Sequence, residues 1–83
     1  MALNCVVKIE IEYCEQWNYG PEADRVSAEI LASHSIEVKL IGGGGGIFEV
    51  RQCSDILWEK ERGGAFPAVD EIPTILSQLI KEL

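Results

Sequence analysis

The chain has 83 residues, of which 47% are hydrophobic and 25% are charged, and this composition excludes an intrinsically disordered protein. A chain of this length buries only about 60% of the surface that its unfolded form exposes, so we expect one domain over residues 1–83 with one modest core. The net charge of −7 repels nucleic-acid phosphates and anionic lipid headgroups. We therefore expect no nucleic acid and no membrane surface among the partners.

The N-terminal residues carry no basic segment and no cleavage site typical of a signal peptide. No apolar run approaches the roughly 20 residues that a membrane-spanning helix needs. We expect a cytoplasmic protein. The three cysteines, an odd number at wide spacing, argue against a disulfide framework, and we expect reduced thiols.

The first predicted element is a strand that ends in a cysteine. From Cys5 to Tyr13, apolar residues alternate with mostly charged ones, which is the pattern of a strand with one covered face. Cys14 follows at the carboxyl end of this strand. A helix is predicted over residues 20–33, because Pro21 suits its first position and apolar residues then recur at helical spacing.

The remaining elements follow in quick succession. We predict a second strand from Ile36 to Leu40, a glycine loop over 42–46, a third strand from Ile47 to Arg51, a tight turn over 53–55, a fourth strand from Ile56 to Glu59, and a loop over 62–67. Apolar residues from Ile72 to Leu83 follow a helical stripe, with Asp70 as the expected N-cap and Pro73 in the first turn.

The element order is therefore β-α-β-β-β-α. The first two strands should be parallel with a right-handed crossover, and the last two should form an antiparallel hairpin. This predicts an α/β fold with one four-stranded mixed sheet and two helices on one of its faces.

Cys14 is the first candidate for chemistry because it lies between a strand and a helix. The N–H groups at a helix N-terminus stabilise a thiolate, whereas the neighbouring Glu12 and Glu15 oppose it. The alternative is that Cys14 serves only as a small buried apolar residue. A second thiol three residues later would allow an internal disulfide, but that position holds Trp17.

Other kinds of site fit the sequence poorly. The glycine run precedes a strand and is not followed by Gly-Lys-Ser/Thr, so it matches neither a phosphate loop nor a dinucleotide site. We interpret it as a loop where the backbone approaches a neighbouring group closely. Three cysteines and His34 match no zinc spacing, and we expect neither a metal nor a cofactor. His34 should instead bind free carbonyls at the end of the first helix. Cys53, in the turn, is interpreted as an incidental and exposed thiol, Cys5 as structural, and Trp58 as a packing residue.

Four segments, taken in order, resemble those of a known family. They are the strand ending Glu12-Tyr13-Cys14 with an aromatic at Tyr19, the glycine loop leading into Gly46-Ile47-Phe48-Glu49-Val50, Leu57-Trp58-Glu59 with its charged continuation, and Gly63-Gly64-Ala65-Phe66-Pro67 before the last helix. Together they resemble the Rdx family of selenoprotein W/T/H-like proteins. The resemblance implies a thioredoxin-like fold and thiol redox activity, with glutathione or thioredoxin as reductant and protein thiols as partners.

The resemblance also identifies candidate site residues. Members of the family typically carry Cys-x-x-Cys or Cys-x-x-selenocysteine at this junction, so Cys14 corresponds to the first redox residue and Trp17 to the position of the second. The candidate binding residues are Tyr19, Gly45, Gly46, Phe48 and Phe66. Trp17 represents either a natural loss or the replacement of a selenocysteine, since the codons UGA and UGG differ by one base.

Three hypotheses follow for the function. In the first, Cys14 forms a mixed disulfide with glutathione or a protein thiol, and Cys5 or Cys53 would be a distant resolving thiol. Because Trp17 replaces the second redox residue, it stays open whether the chain is a thiol-disulfide oxidoreductase. In the second, the chain is a non-catalytic binding module that uses an exposed loop around Cys14, Trp17, Tyr19 and Phe66. In the third, these loops serve folding only.

Overall fold

The computed structural model describes residues 8–81 and contains the six predicted elements in the predicted order. They are β1 (Ile9–Cys14), α1 (Gly20–His34), β2 (Val38–Gly43), β3 (Phe48–Gln52), β4 (Asp55–Glu59) and α2 (Glu71–Lys81). The strands form one sheet in the order β2-β1-β3-β4, with β1 parallel to β2 and antiparallel to β3, and with β3 antiparallel to β4. The predicted α/β fold with a mixed four-stranded sheet is confirmed.

One face of the sheet carries the core, as the alternation in β1 predicted. Ile9 and Ile11 of β1 are fully buried together with Phe48 and Val50 of β3. Both helices contribute to the same core cluster, with Ala23, Val26 and Ile30 from α1 and Ile72 and Leu76 from α2. Each fully buried aliphatic side chain of this kind stabilises the fold by about 1.5–3 kcal/mol. The two helices therefore cover one face of the sheet.

The opposite face of the sheet is charged. Arg51 of β3 makes ion pairs with Glu12 at 3.0 Å, Glu49 at 2.6 Å and Glu10 at 3.5 Å. The hydrogen bonds that Arg51 donates to Glu49 and Glu12 raise the pKa of Arg51 and outweigh the opposing effect of burial. Glu10 and Glu12, which lie on this face of β1, thus share a single guanidinium group with Glu49.

The second strand differs from its prediction. It begins at Val38 and runs to Gly43, although Ile36 is buried and was predicted to open the strand. The parallel pairing with β1 carries β2 onward until Cys14 lies opposite Gly43. The first two glycines of the run therefore belong to the sheet, and the turn between β2 and β3 is formed by Gly45 and Gly46, whose φ values are +68° and +80°.

Helix α1 ends at His34, and the next residue, Ser35, caps it in the left-handed conformation. Ser35 has φ +56° and donates its backbone N–H to Leu31 O at 2.9 Å. The ring nitrogens of His34 lie 2.8 Å from Ser33 Oγ and 3.0 Å from Ser77 Oγ of α2. The prediction that His34 binds free carbonyls is therefore wrong, because hydroxyl groups on its own helix and on the packed helix lie within its reach.

Cys53 lies in the β3–β4 turn, as predicted, with φ +57°. Its backbone N–H donates to Lys8 O at 3.0 Å. It is half-buried and disulfide-bonded, so the expectation of an exposed reduced thiol is wrong for this residue. The spacing of the cysteines in the sequence gives no signal for such a bond. Cys5 lies outside the described residues.

Helix α2 begins directly after Asp70, the predicted N-cap. Asp70 has φ +64°, and its carbonyl accepts the backbone N–H of Thr74 at 3.1 Å. Trp58 packs on the core, and its indole N–H donates to Glu71 of α2 at 3.1 Å, which confirms its packing role. Within residues 8–81 no helix is long and apolar enough to cross a membrane.

Candidate functional site

Cys14 is the last residue of the central strand, and its backbone is held from both sides. Its N–H donates to Ile47 O at 2.8 Å, and its carbonyl accepts the N–H of Tyr19 at 3.2 Å. The thiol is free, and the residue is fully buried. The residue is not part of the main core cluster. The Cys14 thiol is therefore buried at the end of β1, where the turn after β1 and Ile47 meet, and not in the main core.

A turn over residues 15–18 separates Cys14 from α1. Glu15 donates its N–H to Gly43 O at 3.1 Å, and Asn18 donates its N–H to Glu15 O at 3.2 Å. Asn18 has φ +60°, a left-handed conformation that asparagine tolerates better than most residues. α1 begins at Gly20, as predicted, so five residues separate Cys14 from the first residue of the helix.

Trp17 lies at the surface of this turn. Its side chain is 56% exposed, and its ring packs on Gly46 of the glycine turn. A Cβ added at Gly46 would lie 2.5 Å from Cζ3 of Trp17. The ring also contacts Tyr19 edge-on, with centroids 6.1 Å apart. The loop of close backbone approach that the glycine run predicted is thus present, and the group that approaches is the indole of Trp17.

Aromatic side chains form a layer behind the turn. The ring of Tyr19 lies 4.8 Å from that of Phe66, and Phe48 lies 5.3 Å from Phe66, both in edge-to-face geometry. Nζ of Lys60 lies 5.6 Å from the Tyr19 ring and 5.4 Å from the Phe66 ring, within range of a cation–π interaction. Phe48 is fully buried, whereas Tyr19 and Phe66 are half-buried.

A cavity of about 210 Å³ opens beside Trp17. Its lining combines the turn after β1, the glycine turn and the segment after β4, with Trp17, Tyr19, Gly45, Gly46, Ile47, Phe48, Glu59, Lys60, Arg62 and Gly63. Four of the five candidate binding residues therefore share one cavity, and the fifth, Phe66, lies behind Tyr19. Cys14 does not line the cavity. Lys60 and Arg62 also line the cavity; they belong to the charged continuation after Trp58 and were not predicted as site residues.

A link from α1 anchors the loop before α2. Arg25 pairs with Glu22 at 2.9 Å and with Glu29 at 2.8 Å, and it also donates to the carbonyl of Pro67. Glu29 accepts the backbone N–H of Asp70 at 3.2 Å. Partial burial lowers the pKa of Arg25, but hydrogen bonds to the two glutamates outweigh it and raise the pKa overall. This link fixes the loop that carries Phe66.

The part of the chain that the structure describes contains no group of three His, Cys, Asp or Glu side chains placed to hold a metal ion. The chemistry within reach of this site is therefore that of one free thiol, one exposed indole, an aromatic layer and two cationic side chains.

A family model described as the Rdx family matches residues 8–78. The chain belongs to the Rdx family. The resemblance seen in the sequence is thereby confirmed. Among solved structures, a selenoprotein W-related protein from Vibrio cholerae is 33% identical with a TM-score of 0.78, and the match covers 88% of this chain and 95% of that one. A protein from Bordetella parapertussis is 29% identical with a TM-score of 0.70, and the match covers 90% of this chain and 94% of that one.

A comparison with curated proteins gave no match. The Rdx family assignment, together with the selenoprotein W-related neighbour, makes this chain a redox-related protein of thioredoxin-like fold. The matched region contains Cys14, Trp17 and the whole cavity described above.

Proposed function

We propose that this Rdx-family chain is a cytoplasmic thiol redox protein in which Cys14 forms a mixed disulfide with glutathione or a protein thiol. The observation that carries the proposal is a free thiol at the end of the central strand, inside the region matched by the family. Trp17 occupies the position of the second redox residue, so the chain as it stands is a one-thiol form of a two-group site.

The chemistry of a one-thiol site needs two external thiols. The Cys14 thiolate attacks a disulfide R–S–S–R, a new Cys14–S–R bond forms, and R–S⁻ leaves and takes up a proton. A second external thiolate then attacks the sulfur of R and releases Cys14. Trp17 has no group that could perform this second step, so the mixed disulfide persists until a free thiol such as glutathione or a thioredoxin-type reductant arrives.

The burial of Cys14 sets the rate of this chemistry. The sulfur is closed to solvent, and exchange requires the turn over residues 15–18 to open locally. Two backbone hydrogen bonds close that turn, one from Asn18 to Glu15 and one from Tyr19 to Cys14, both at 3.2 Å. Segments held by few buried contacts open at a free energy well below that of global unfolding. We therefore expect exchange at Cys14 in the native chain, slower than in the unfolded chain.

The test is glutathionylation of the native chain. The protein is incubated with glutathione disulfide, the adduct is located by peptide mapping, and the variant Cys14→Ser serves as the control. We expect one glutathionyl group on Cys14 that is released by free glutathione. A native chain that acquires no adduct on Cys14, under conditions in which the unfolded chain does, contradicts the proposal.

The exposure of Trp17 favours a second candidate function, a non-catalytic binding module. A large aromatic ring that is 56% exposed beside a cavity is typical of an interface anchor. Affinity capture separates the two candidates. Loss of a captured partner in Trp17→Ala, with capture retained in Cys14→Ser, selects the binding module. The redox proposal expects the opposite dependence, because the partner would be held through the Cys14 sulfur.

The identity of residue 17 in the native protein belongs to the proposal as well. A selenocysteine there would complete the pair that the family typically carries, and its codon differs from that of tryptophan by one base. The genomic codon decides the matter. A UGA codon with a selenocysteine-insertion element beside it supports the replacement, whereas a UGG codon establishes Trp17 as the natural residue.

A further inference from the structure

The two edge strands of the sheet differ in how they are protected against pairing. β4 is joined to β3 with a shift between Val50 and Arg51, and it begins at Asp55 and ends at Glu59, so a bulge and two negative charges accompany that edge. Bulges and charges are the usual means by which proteins keep an edge strand unpaired. β2 pairs with β1 at six successive positions without a shift, and it contains no proline. Within residues 8–81, no strand pairs with the outer edge of β2.

The backbone of β2 offers hydrogen-bonding groups at this outer edge. The carbonyl of Gly43 accepts the N–H of Glu15, which follows β1, at 3.1 Å, so the backbone groups of Gly43 point toward β1. Backbone N–H and C=O groups of successive residues point alternately to the two sides of a strand. Those of Gly42, Leu40 and Val38 therefore point outward, away from β1.

The sequence over residues 36–40 is self-complementary about its central residue, Val38. In Ile36-Glu37-Val38-Lys39-Leu40, the two charges are opposite in sign and the two outer residues are both apolar. A two-fold axis at Val38 brings Glu37 opposite Lys39 of a second copy, and this pair occurs twice. The same axis brings Ile36 opposite Leu40 of the second copy. We propose that the outer edge of β2 binds a second copy of this chain by antiparallel pairing in this register.

Charge favours this register over its neighbours. Glu37 and Lys39 are exposed, and neither makes an ion pair within residues 8–81. Glu10, which lies beside Lys39 on β1, pairs instead with Arg51 at 3.5 Å. A shift of the second strand by two residues places Lys39 opposite its own counterpart, and like charges directly opposite each other are destabilising. A lysine on an edge strand deters pairing, but in the proposed register Glu37 of the second copy neutralises it.

Apolar contact at the same edge supports the pairing. Leu40 is 36% exposed although it lies on the core side of the sheet, beside the buried Ile11 of β1. Antiparallel pairing covers Leu40 with Ile36 of the second copy and brings the two Val38 side chains together. An interface built on one short strand pair is smaller than that of a stable complex, so we expect a weak dimer that forms as the concentration rises. None of residues 36–40 lines the cavity described above, so the pairing does not use it.

The test is charge reversal at the two positions, followed by mixing. The full chains with Glu37→Lys and with Lys39→Glu are studied by sedimentation velocity from micromolar to millimolar concentration, alone and as an equimolar mixture. Each reversal places like charges opposite each other twice in the homodimer, so each should weaken self-association about tenfold or more. In the mixture, the lysines of one chain face the glutamates of the other at both positions, and we expect association to be restored.

A matched control separates the register from net charge. Glu61 is exposed and lies outside the interface, and Glu61→Lys changes the net charge by the same amount as Glu37→Lys. We expect this variant to associate no more weakly than the parent chain. Denaturing electrophoresis without reductant is run on every sample, so that a dimer linked by an interchain disulfide is recognised and not counted.

The outcomes decide the proposal without reference to disulfide exchange at Cys14. A parent chain that stays monomeric at millimolar concentration overturns it. Self-association that either reversal leaves unchanged also overturns it, because the chains then meet through another surface. If both reversals weaken association but the mixture does not restore it, the register that places Glu37 opposite Lys39 is wrong. Restoration on mixing supports the proposal and shows that the variants are folded, since misfolded chains would not recover their pairing.

Discussion

The contact between Trp17 and Gly46 gives a quantitative test of the site as described. Gly45 and Gly46 both have positive φ, so replacement of either by alanine costs roughly 1 kcal/mol of stability for the left-handed conformation alone. An added Cβ meets open space at Gly45 but lies 2.5 Å from the Trp17 ring at Gly46. Displacing that ring adds about 1 kcal/mol. We therefore expect Gly46→Ala to destabilise the chain by about 2 kcal/mol and Gly45→Ala by about 1 kcal/mol.

The assay is urea unfolding followed by the fluorescence of Trp58, which remains as a probe when Trp17 is replaced. Both glycine variants are measured again in a Trp17→Ala background, so that the difference isolates the contact with the ring. In the Trp17→Ala background, Gly45→Ala and Gly46→Ala should lower the free energy of unfolding by the same amount, about 1 kcal/mol each. The reasoning is refuted if Gly46→Ala is no worse than Gly45→Ala, or if its excess cost survives the removal of the indole.

Further predictions concern the supports of the site. Phe48→Ala should lower the free energy of unfolding, measured in urea, by about 3–5 kcal/mol, because the ring is fully buried. As a control, Leu31→Ala should change it by no more than about 0.5 kcal/mol, because that side chain is 52% exposed. Equal losses in the two variants would contradict the assigned core. Arg25→Met removes the hydrogen bond to Pro67, so it should lower the free energy of unfolding by about 1–2 kcal/mol and speed proteolysis of the loop before α2. An unchanged cleavage rate would show that the hydrogen bond from Arg25 does not hold this loop in place. The pKa of Arg25 is raised on folding, so its contribution is complete below the pKa of an unfolded arginine and is lost only as the pH rises through the higher folded value. The stability difference between parent and Arg25→Met should therefore not decline from neutral to mildly alkaline pH, and a decline there would contradict the ion-pair assignment.

Local patterns in the sequence were enough to place the elements. The alternation at Ile9 and Ile11 indicates which face of β1 is covered, and both residues are buried in the core. Pro21 marks the beginning of α1 to within a residue. These features depend on neighbours in the chain, which is why periodicity and helix-start signals capture them.

The environment of Cys14 could not be derived in the same way. The parity of β1 places Cys14 on the side of Glu10 and Glu12, yet Cys14 is fully buried. Parity indicates the face of a strand but not what covers it, and here Ile47 and the turn after β1 meet at that end of the sheet. The role of Arg25 was missed for the same reason, because its partner Pro67 is distant in the sequence.

The C-terminal end of β2 could not be predicted from the local sequence either. Five consecutive glycines favour a loop, since glycine lacks a side chain and costs conformational entropy in a strand. Gly42 and Gly43 nevertheless pair with Tyr13 and Cys14, because the parallel partner strand continues to that point. Pairing with a strand distant in the sequence outweighs a local preference of this size.

The most direct test of a two-group redox site at positions 14 and 17 is the equilibrium of Trp17→Cys with a glutathione redox buffer. The fraction of internal disulfide is measured by mass spectrometry across a series of ratios of glutathione to glutathione disulfide. We expect one two-electron transition that links Cys14 to position 17 and is absent from Trp17→Ser. A variant that retains two separate thiols, or that carries only glutathione adducts at every ratio, would contradict it.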